Sequence, residues 1–224
     1  MSDFVFYEHS NYDVNTSKPK YLVIILHGYG ANGSSIIEVA KILDKTLPDT
    51  HFVAPNAPNP WEGGFVDCYQ WFSLASWGVD RDPAKVAPFI IEANEGLSEF
   101  IQEQLNRHNL QHKDLFLAGF SQGAMMSIFQ GLTMNEKLGG IISFSGKVIL
   151  PEFLDQQTNT KQDICLMHGD HDSVLPFSNF EEGKEILEAN DFNFEHHALE
   201  GLDHTIDIRG LAIAQDFINK QIKK

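Results

Sequence analysis

Residues Leu115–Met126 read LFLAGFSQGAMM, and the fold is best interpreted outward from them. A short apolar run typical of a buried strand leads into GFSQG at residues 119–123, and the residues after it suit a helix. A serine at the tip of such a turn takes a strained backbone conformation, and flanking glycines let the strand and the helix approach closely. The pattern predicts a projecting, nucleophilic hydroxyl on Ser121. The alternative is a tight turn without chemistry.

Apolar runs and amphipathic segments alternate along the rest of the chain. Strands are predicted at 21–26, 51–55, 140–146, 163–168 and 192–199, after an edge strand within residues 1–20. Helices are predicted at 34–46, 83–108, from the GFSQG turn to about 135, 177–190 and 205–223, with an irregular, aromatic-rich loop at 56–82 and a polar surface loop at 151–161. This alternation favours an α/β fold with a mostly parallel central sheet and helices on both faces. No linker interrupts the pattern, so we expect a single domain spanning residues 1–224.

Composition argues against several classes of partner. The 224 residues carry a formal net charge of −15, which disfavours binding to nucleic acid and docking on anionic lipid. Two cysteines, Cys68 and Cys165, predict neither a disulfide framework nor a thiolate zinc site. The first residues lack a signal-peptide pattern, and no apolar run approaches the length of a membrane span. We therefore expect a cytoplasmic protein without stable membrane insertion.

A serine nucleophile needs a base, and the base needs an acid to orient it. Candidate acids at a strand end after Ser121 are Asp170 and Asp172. Asp172 and His204 each lie in a loop after a predicted strand, on the rim of the sheet where Ser121 is expected. Asp203 precedes His204 directly and is poorly placed to orient its ring.

Four further histidines compete with His204 for the role of base. His196 and His197 fall inside a strand, point to opposite faces and are expected to pack or to face solvent. His168 and His171 lie near two aspartates in a pattern that imitates a metal cluster. A strand-end histidine bonded to loop backbone is the simpler interpretation.

A second functional loop follows the first buried strand, with the sequence HGYG at 27–30. Its glycines would let a backbone N–H face Ser121, so the amides of Tyr29 and Gln122 are expected to form an oxyanion hole. A glycine-rich turn without catalytic duty is the alternative. The aromatic-rich segment 56–82, which includes Trp71 and Trp77, would either cap the sheet or wall an acyl pocket.

Five blocks of the chain resemble the carboxylesterase/phospholipase family, which includes acyl-protein thioesterases and small bacterial carboxylesterases. They are HGYG at 27–30, QWFSL at 70–74, GFSQG at 119–123, HGDHDSVLP at 168–176 and GLDHTI at 201–206. The resemblance covers residues 21–217 and implies an α/β-hydrolase fold with no large cap domain. Tyr29 departs from the leucine common at its position, which bears on substrate preference.

The resemblance implies a serine hydrolase that cleaves esters or thioesters of short to medium acyl chains. Ser121, Asp172 and His204 would be the catalytic triad, and Trp71 and Leu175 would contact the substrate. No metal or organic cofactor is expected, and the partner would be a small-molecule substrate, with homodimer formation left open. The rivals are a specific acyl-protein thioesterase or lysophospholipase and a ligand-binding relative without turnover.

Overall fold

The computed structural model describes residues 4–10, 18–75, 83–153 and 160–224. Trp77, the end of the aromatic-rich segment and most of the predicted loop 151–161 lie outside these ranges. The described strands are β1 (Phe6–Ser10), β2 (Tyr21–Leu26), β3 (Thr50–Pro55), β4 (Asn59–Pro60), β5 (Tyr69–Gln70), β6 (Leu115–Phe120), β7 (Gly140–Phe144), β8 (Asp163–Gly169) and β9 (Asn193–Leu199).

Seven of these strands form one twisted sheet in the order β1-β3-β2-β6-β7-β8-β9. All neighbours in it are parallel except β1, which pairs antiparallel with β3 at the edge. The predicted parallel sheet and its N-terminal edge strand are therefore confirmed. β2 is an interior strand covered on both faces, which explains its unbroken apolar sequence.

The segment 56–75 holds a structure that the sequence pattern did not predict. β4 and β5 pair antiparallel as a separate small sheet, with Asn59 opposite Gln70 and Pro60 opposite Tyr69. Strands of two residues are too short to produce an alternating pattern, so the pairing left no signal. The hairpin holds the aromatic-rich segment beside the carboxyl end of β2, where Tyr69 and Ala31 form an isolated bridge.

Helices cover both faces of the sheet. They are α1 (Gly33–Ile36), α2 (Ala40–Leu43), α3 (Pro83–His108), α4 (Gln122–Thr133), α5 (Ser178–Ala189) and α6 (Ile208–Ile222). Leu22 and Ile24 point into the core that contains α3, α4 and α5, whereas Val23 and Ile25 point into the core that contains α1, α2 and α6. This alternation of side chains along β2 is what places helices on both sides.

Two predicted helices differ in detail. The helix predicted at 34–46 is α1 and α2 joined and followed by 3₁₀ turns at Ile37–Val39 and Asp44–Thr46. The last helix starts at Ile208 rather than at 205, because Asp207 caps it by accepting the amide N–H groups of Arg209 and Gly210. Residues 200–207 are thereby left as a loop at the carboxyl end of β9.

Candidate active site

Ser121 lies at the turn between β6 and α4 with φ 53° and ψ −117°, a conformation that L-residues rarely adopt. The glycines around it are needed sterically. A Cβ on Gly119 would lie 2.3 Å from the carbonyl oxygen of Gly123, and a Cβ on Gly123 would lie 2.2 Å from that of Leu26. The predicted steric origin of the GFSQG pattern is therefore confirmed, and the strained turn projects from the carboxyl end of β6.

Asp172 and His204 meet across two neighbouring loops. His204 Nδ1–H donates to Asp172 Oδ2 at 2.7 Å, and Asp172 Oδ1 accepts the amide N–H groups of Val174 at 2.9 Å and Leu175 at 2.7 Å. The Asp172 side chain is 0% exposed and that of His204 12%. Burial alone would raise the pKa of Asp172, but the bonds from His204 and the two amides outweigh it and lower that pKa. The carboxylate thus stays ionised beside the imidazole.

Asp170 has different partners. Its Oδ1 accepts the amide N–H of Gly201 at 2.7 Å and lies 2.7 Å from Nδ1 of His171, whose side chain is 73% exposed. Asp170 and His171 form a solvent-facing pair at the loop surface.

Asp203 also ties loops together. Its Oδ1 accepts the amide N–H and the hydroxyl of Ser173 and the amide N–H of His204, all at 2.7–2.8 Å. These bonds, that from the Ser173 amide foremost, lower the pKa of Asp203 to about 2. Asp203 therefore braces the backbone of His204, whereas the ring of His204 is bonded to Asp172.

His168 lies fully buried behind the Asp172–His204 pair. Its Nε2–H donates to the carbonyl oxygen of Leu175 at 2.9 Å and lies 3.3 Å from Asp172 Oδ2, and burial lowers its pKa. The expected attachment of His168 to loop backbone is confirmed. His196 is exposed and His197 half-buried, as expected for strand positions away from the site.

One cavity of about 740 Å³ receives the reactive groups. Its wall includes Ser121, His204, Tyr29 and Gln122. Apolar side chains make up much of the remainder, namely Leu74, Ile90, Met125, Val148, Ile149, Leu150, Val174 and Leu175. The structure therefore brings a serine to an apolar cleft together with a histidine that is bonded to a buried carboxylate, an arrangement suited to nucleophilic attack on an acyl group.

The loop after β2 packs against the serine. A Cβ on Gly28 would lie 3.2 Å from Cδ1 of Phe120 and 3.4 Å from the Cβ of Ser121, so the backbone of this loop lies directly beside the serine turn. His27 is fully buried below it, where its Nδ1–H donates to the Gly28 carbonyl oxygen at 2.7 Å and its Nε2 accepts the Ala57 amide N–H at 2.9 Å. Burial lowers the pKa of His27 to about 4, so the ring is neutral and braces the loop. The sequence alone did not suggest this role.

Trp71 requires a correction. It was expected at the substrate, but it is 0% exposed and lies beneath the loop, where its indole N–H donates to the His27 carbonyl oxygen at 3.0 Å. Its amide N–H donates to Oε1 of Gln122 at 2.9 Å, and Nε2 of Gln122 donates to the Phe72 carbonyl oxygen at 2.7 Å. A buried indole N–H needs a partner, and it finds one in the backbone. Leu74, not Trp71, lines the cavity from this segment.

Glu62 is a further residue that sequence reasoning missed. Its carboxylate accepts hydrogen bonds from the hydroxyl groups of Tyr29 and Ser73 and from the Ala75 amide at 3.1 Å. Burial would raise the pKa of Glu62, but these bonds lower it. Because Glu62 and Tyr29 are 33 residues apart, no local spacing indicated their contact.

Comparison with known proteins agrees with this geometry. The profile of the phospholipase/carboxylesterase family matches residues 9–222. The chain belongs to this family. It is 31% identical over 210 residues to acyl-protein thioesterase 1 homolog 1 of Dictyostelium discoideum, covering 90% of this chain and 91% of that one. It is 28% identical to acyl-protein thioesterase 1 of Kluyveromyces lactis, covering 91% of this chain and 93% of that one.

Solved structures of an esterase and a carboxylesterase show the same fold. Esterase PE8 superposes with a TM-score of 0.87 at 33% identity, over 97% of this chain and 98% of that one. The Bacillus cereus carboxylesterase superposes with a TM-score of 0.74 at 18% identity, which is evidence for the fold alone. This family member is thus an α/β-hydrolase without a large cap, a serine hydrolase that acts on carboxylic esters or thioesters. No helix within the described residues is long and apolar enough to cross a membrane.

Proposed function

We propose that Ser121, His204 and Asp172 form the catalytic triad, with Ser121 as the acylated nucleophile. The observation that carries this proposal is the 2.7 Å bond between Asp172 and His204, beside a strained serine in the same cavity wall. Because Nδ1 of His204 is held by Asp172, its Nε2 is the atom left to take the serine proton. The alternative of a tight turn without chemistry does not account for this arrangement.

In the first step, Oγ of Ser121 attacks the acyl carbonyl carbon while Nε2 of His204 takes the hydroxyl proton. The carbonyl oxygen becomes an oxyanion that accepts the amide N–H groups of Tyr29 and Gln122. The Gln122 amide is the first of α4, so the positive end of the helix dipole adds to its effect. Asp172 stabilises the imidazolium that forms meanwhile.

In the second step, the tetrahedral intermediate collapses and His204 gives its proton to the departing alcohol or thiol. An acyl ester on Ser121 remains. Water, deprotonated by His204, then attacks this ester, and the carboxylic acid leaves with the serine hydroxyl restored. Every proton in the cycle passes through Nε2 of His204, whose orientation depends on Asp172.

We infer that the substrates carry neutral, apolar acyl groups of short to medium length. The apolar walls around Leu74, Met125 and Leu175 support this inference, and Leu175 is retained as a substrate contact. The net charge of −15 repels acyl chains that end in a carboxylate and also opposes binding of nucleic acid. A cytoplasmic location stays a prediction, and homodimer formation is left open. The relatives named acyl-protein thioesterases favour thioester substrates as the second candidate.

The test is hydrolysis of matched oxoesters and thioesters across a range of acyl lengths, with Ser121→Ala as the control. We expect turnover by the native chain and a loss of at least about 10⁴-fold in Ser121→Ala, as for other triad nucleophiles. Esters with a terminal carboxylate should have a lower kcat/KM than neutral ones of equal length. A folded Ser121→Ala variant with native turnover would refute the proposal.

A further inference from the structure

Three side chains with metal-binding atoms meet at the amino end of the sheet, the edge opposite Ser121. They are Glu8 in β1, His51 near the start of β3 and His108 at the end of α3. One ligand atom from each lies within 4.8 Å of the other two. The chemistry derived above uses none of them.

Strand register brings these side chains together. In the β1–β3 pair, Ser10 lies opposite His51 and Glu8 lies two residues before Ser10, so Glu8 and His51 share a face of the sheet. Phe6, on the same face, packs its ring 5.5 Å from that of Phe100 in α3. The face is therefore the one that α3 covers, and the last turn of α3 delivers His108 to the pair.

The contacts leave one buried nitrogen without a partner. Nε2 of His51 and Oε1 of Glu8 are 3.0 Å apart, and the rings of His51 and His108 lie 4.3 Å apart between centroids. Nε2 of His108 is buried and has no hydrogen-bond partner among the described residues. A buried polar atom left unpaired costs about 1–3 kcal/mol, so such an atom indicates a missing ligand.

The carboxylate of the cluster also has a cationic neighbour. The nearest opposing charge is Arg107, whose Nη1 lies 2.9 Å from Oε1 of Glu8 and whose side chain is half exposed.

We propose that Glu8, His51 and His108 bind a divalent transition-metal ion and that zinc suits the set best. Zinc takes imidazole nitrogen and carboxylate oxygen at about 2.0–2.2 Å in a tetrahedron, which places two such ligands about 3.3 Å apart. The Nε2–Oε1 separation of 3.0 Å needs little change to reach that value. On binding, the ion replaces the proton shared by His51 and Glu8, and that proton passes to solvent. The ion also gives Nε2 of His108 a partner. Water is the fourth ligand.

The ion would act as a clamp rather than as a catalyst. It joins the edge strand β1 to β3 and α3, so binding stabilises the folded chain by mass action. Since the cluster lies at the amino end of the sheet and the cavity at the carboxyl end, the rate of ester hydrolysis should not depend on the ion.

The experiment is calorimetric titration of the chelator-treated full chain with zinc chloride, together with thermal melting. We expect one saturable site and a rise in Tm for the native chain. His108→Gln should weaken binding by at least about 10-fold, the least that loss of an outer-shell partner costs a metal site. His196→Gln, an exposed histidine on β9, is the matched control and should bind as the native chain does. If His108→Gln does not fold, Glu8→Gln removes another proposed ligand, at an exposed position of the edge strand β1, and should weaken zinc binding in the same way.

Arg107→Gln sharpens the test, because removal of a cation beside Glu8 should leave zinc affinity equal or higher. Absence of saturable binding, or unchanged affinity in His108→Gln or Glu8→Gln, overturns the site. A fall in kcat/KM when zinc is removed from the native chain contradicts the role of a non-catalytic clamp.

Discussion

The acid–base side of the site and its oxyanion side are held in place by different means. Asp172 and His204 lie in loops that leave the neighbouring parallel strands β8 and β9, and one bond of 2.7 Å joins them. Tyr29 is held instead by a network of bonds and ring contacts to the segment 61–75, which involves Glu62 and Trp61.

The two sides of the site therefore depend on different features of the fold. In the β8–β9 pair, Gly169 lies opposite Leu199, so the loops that carry Asp172 and His204 leave the sheet at the same level. Ordinary strand register is enough to bring acid and base together. The oxyanion side depends on side-chain bonds between distant segments, which are buried at Gln122 and exposed at Glu62. Changes at Gln122 should therefore alter both stability and rate, and changes at Glu62 mainly the rate.

The largest effect is expected on the acid–base side, from Asp172→Asn. The amide keeps the shape but favours the wrong imidazole tautomer, which should lower kcat by about 10²–10⁴-fold. Asp170→Asn and Asp203→Asn are matched controls and should keep most of the activity, because their carboxylates bond to loop backbone. Steady-state kinetics with melting curves decide this. If Asp170→Asn is the most damaging of the three at unchanged Tm, the acid is misassigned.

On the oxyanion side, Gln122→Ala should lower kcat by about 10-fold. The loss is smaller than that of an oxyanion donor itself, because the backbone N–H of residue 122 remains. The unpaired Trp71 amide and Phe72 carbonyl should also cost about 1–3 kcal/mol of stability. Gln130→Ala removes a buried glutamine from the same helix, bonded to Ser98, and serves as the control. An equal fall in kcat for both variants would contradict a specific role for Gln122.

A smaller effect is expected from Glu62→Gln, which weakens the clamp between Tyr29 and the cavity segment. We expect kcat to fall about 3-fold, less than 1 kcal/mol in barrier, with KM and Tm little changed. Tyr29→Phe should have the same effect as Glu62→Gln. The double variant should lose no more activity than either single variant, because both substitutions break the same hydrogen bond. Additive losses in the double variant would show that the two residues act independently.

The last expected effect is on stability in acid rather than on kcat. The pKa of His27 is about 4 in the folded chain against about 6.5 when unfolded, so the unfolded state binds the proton first. His27 contributes fully to the free energy of unfolding above pH about 6.5. This contribution decreases by about 3 kcal/mol in total as the pH drops towards 4. His27→Gln should reduce the slope of unfolding free energy against pH by up to about one proton in that window. His196→Gln should not, and an equal change in both would reject the assignment.

The same contrast explains what sequence reasoning could foresee. The mostly parallel sheet, the steric need for Gly119 and Gly123 and the meeting of Asp172 with His204 follow from local patterns and strand ends. The burial of Trp71 could not be predicted in this way, because an aromatic-rich segment fits a core and a pocket wall equally well. Glu62 and His27 act through bonds to residues about 30 positions away, and no spacing rule encodes such contacts.

The central claim is that Ser121 is the nucleophile, and mass spectrometry can identify the residue that a serine-directed probe modifies. The native chain is treated with a fluorophosphonate probe, and the modified peptide is identified after digestion. We predict a single adduct on the peptide that contains Ser121, slower labelling of Asp172→Asn and none of Ser121→Ala. An adduct on another residue, or undiminished labelling of folded Ser121→Ala, would contradict the account.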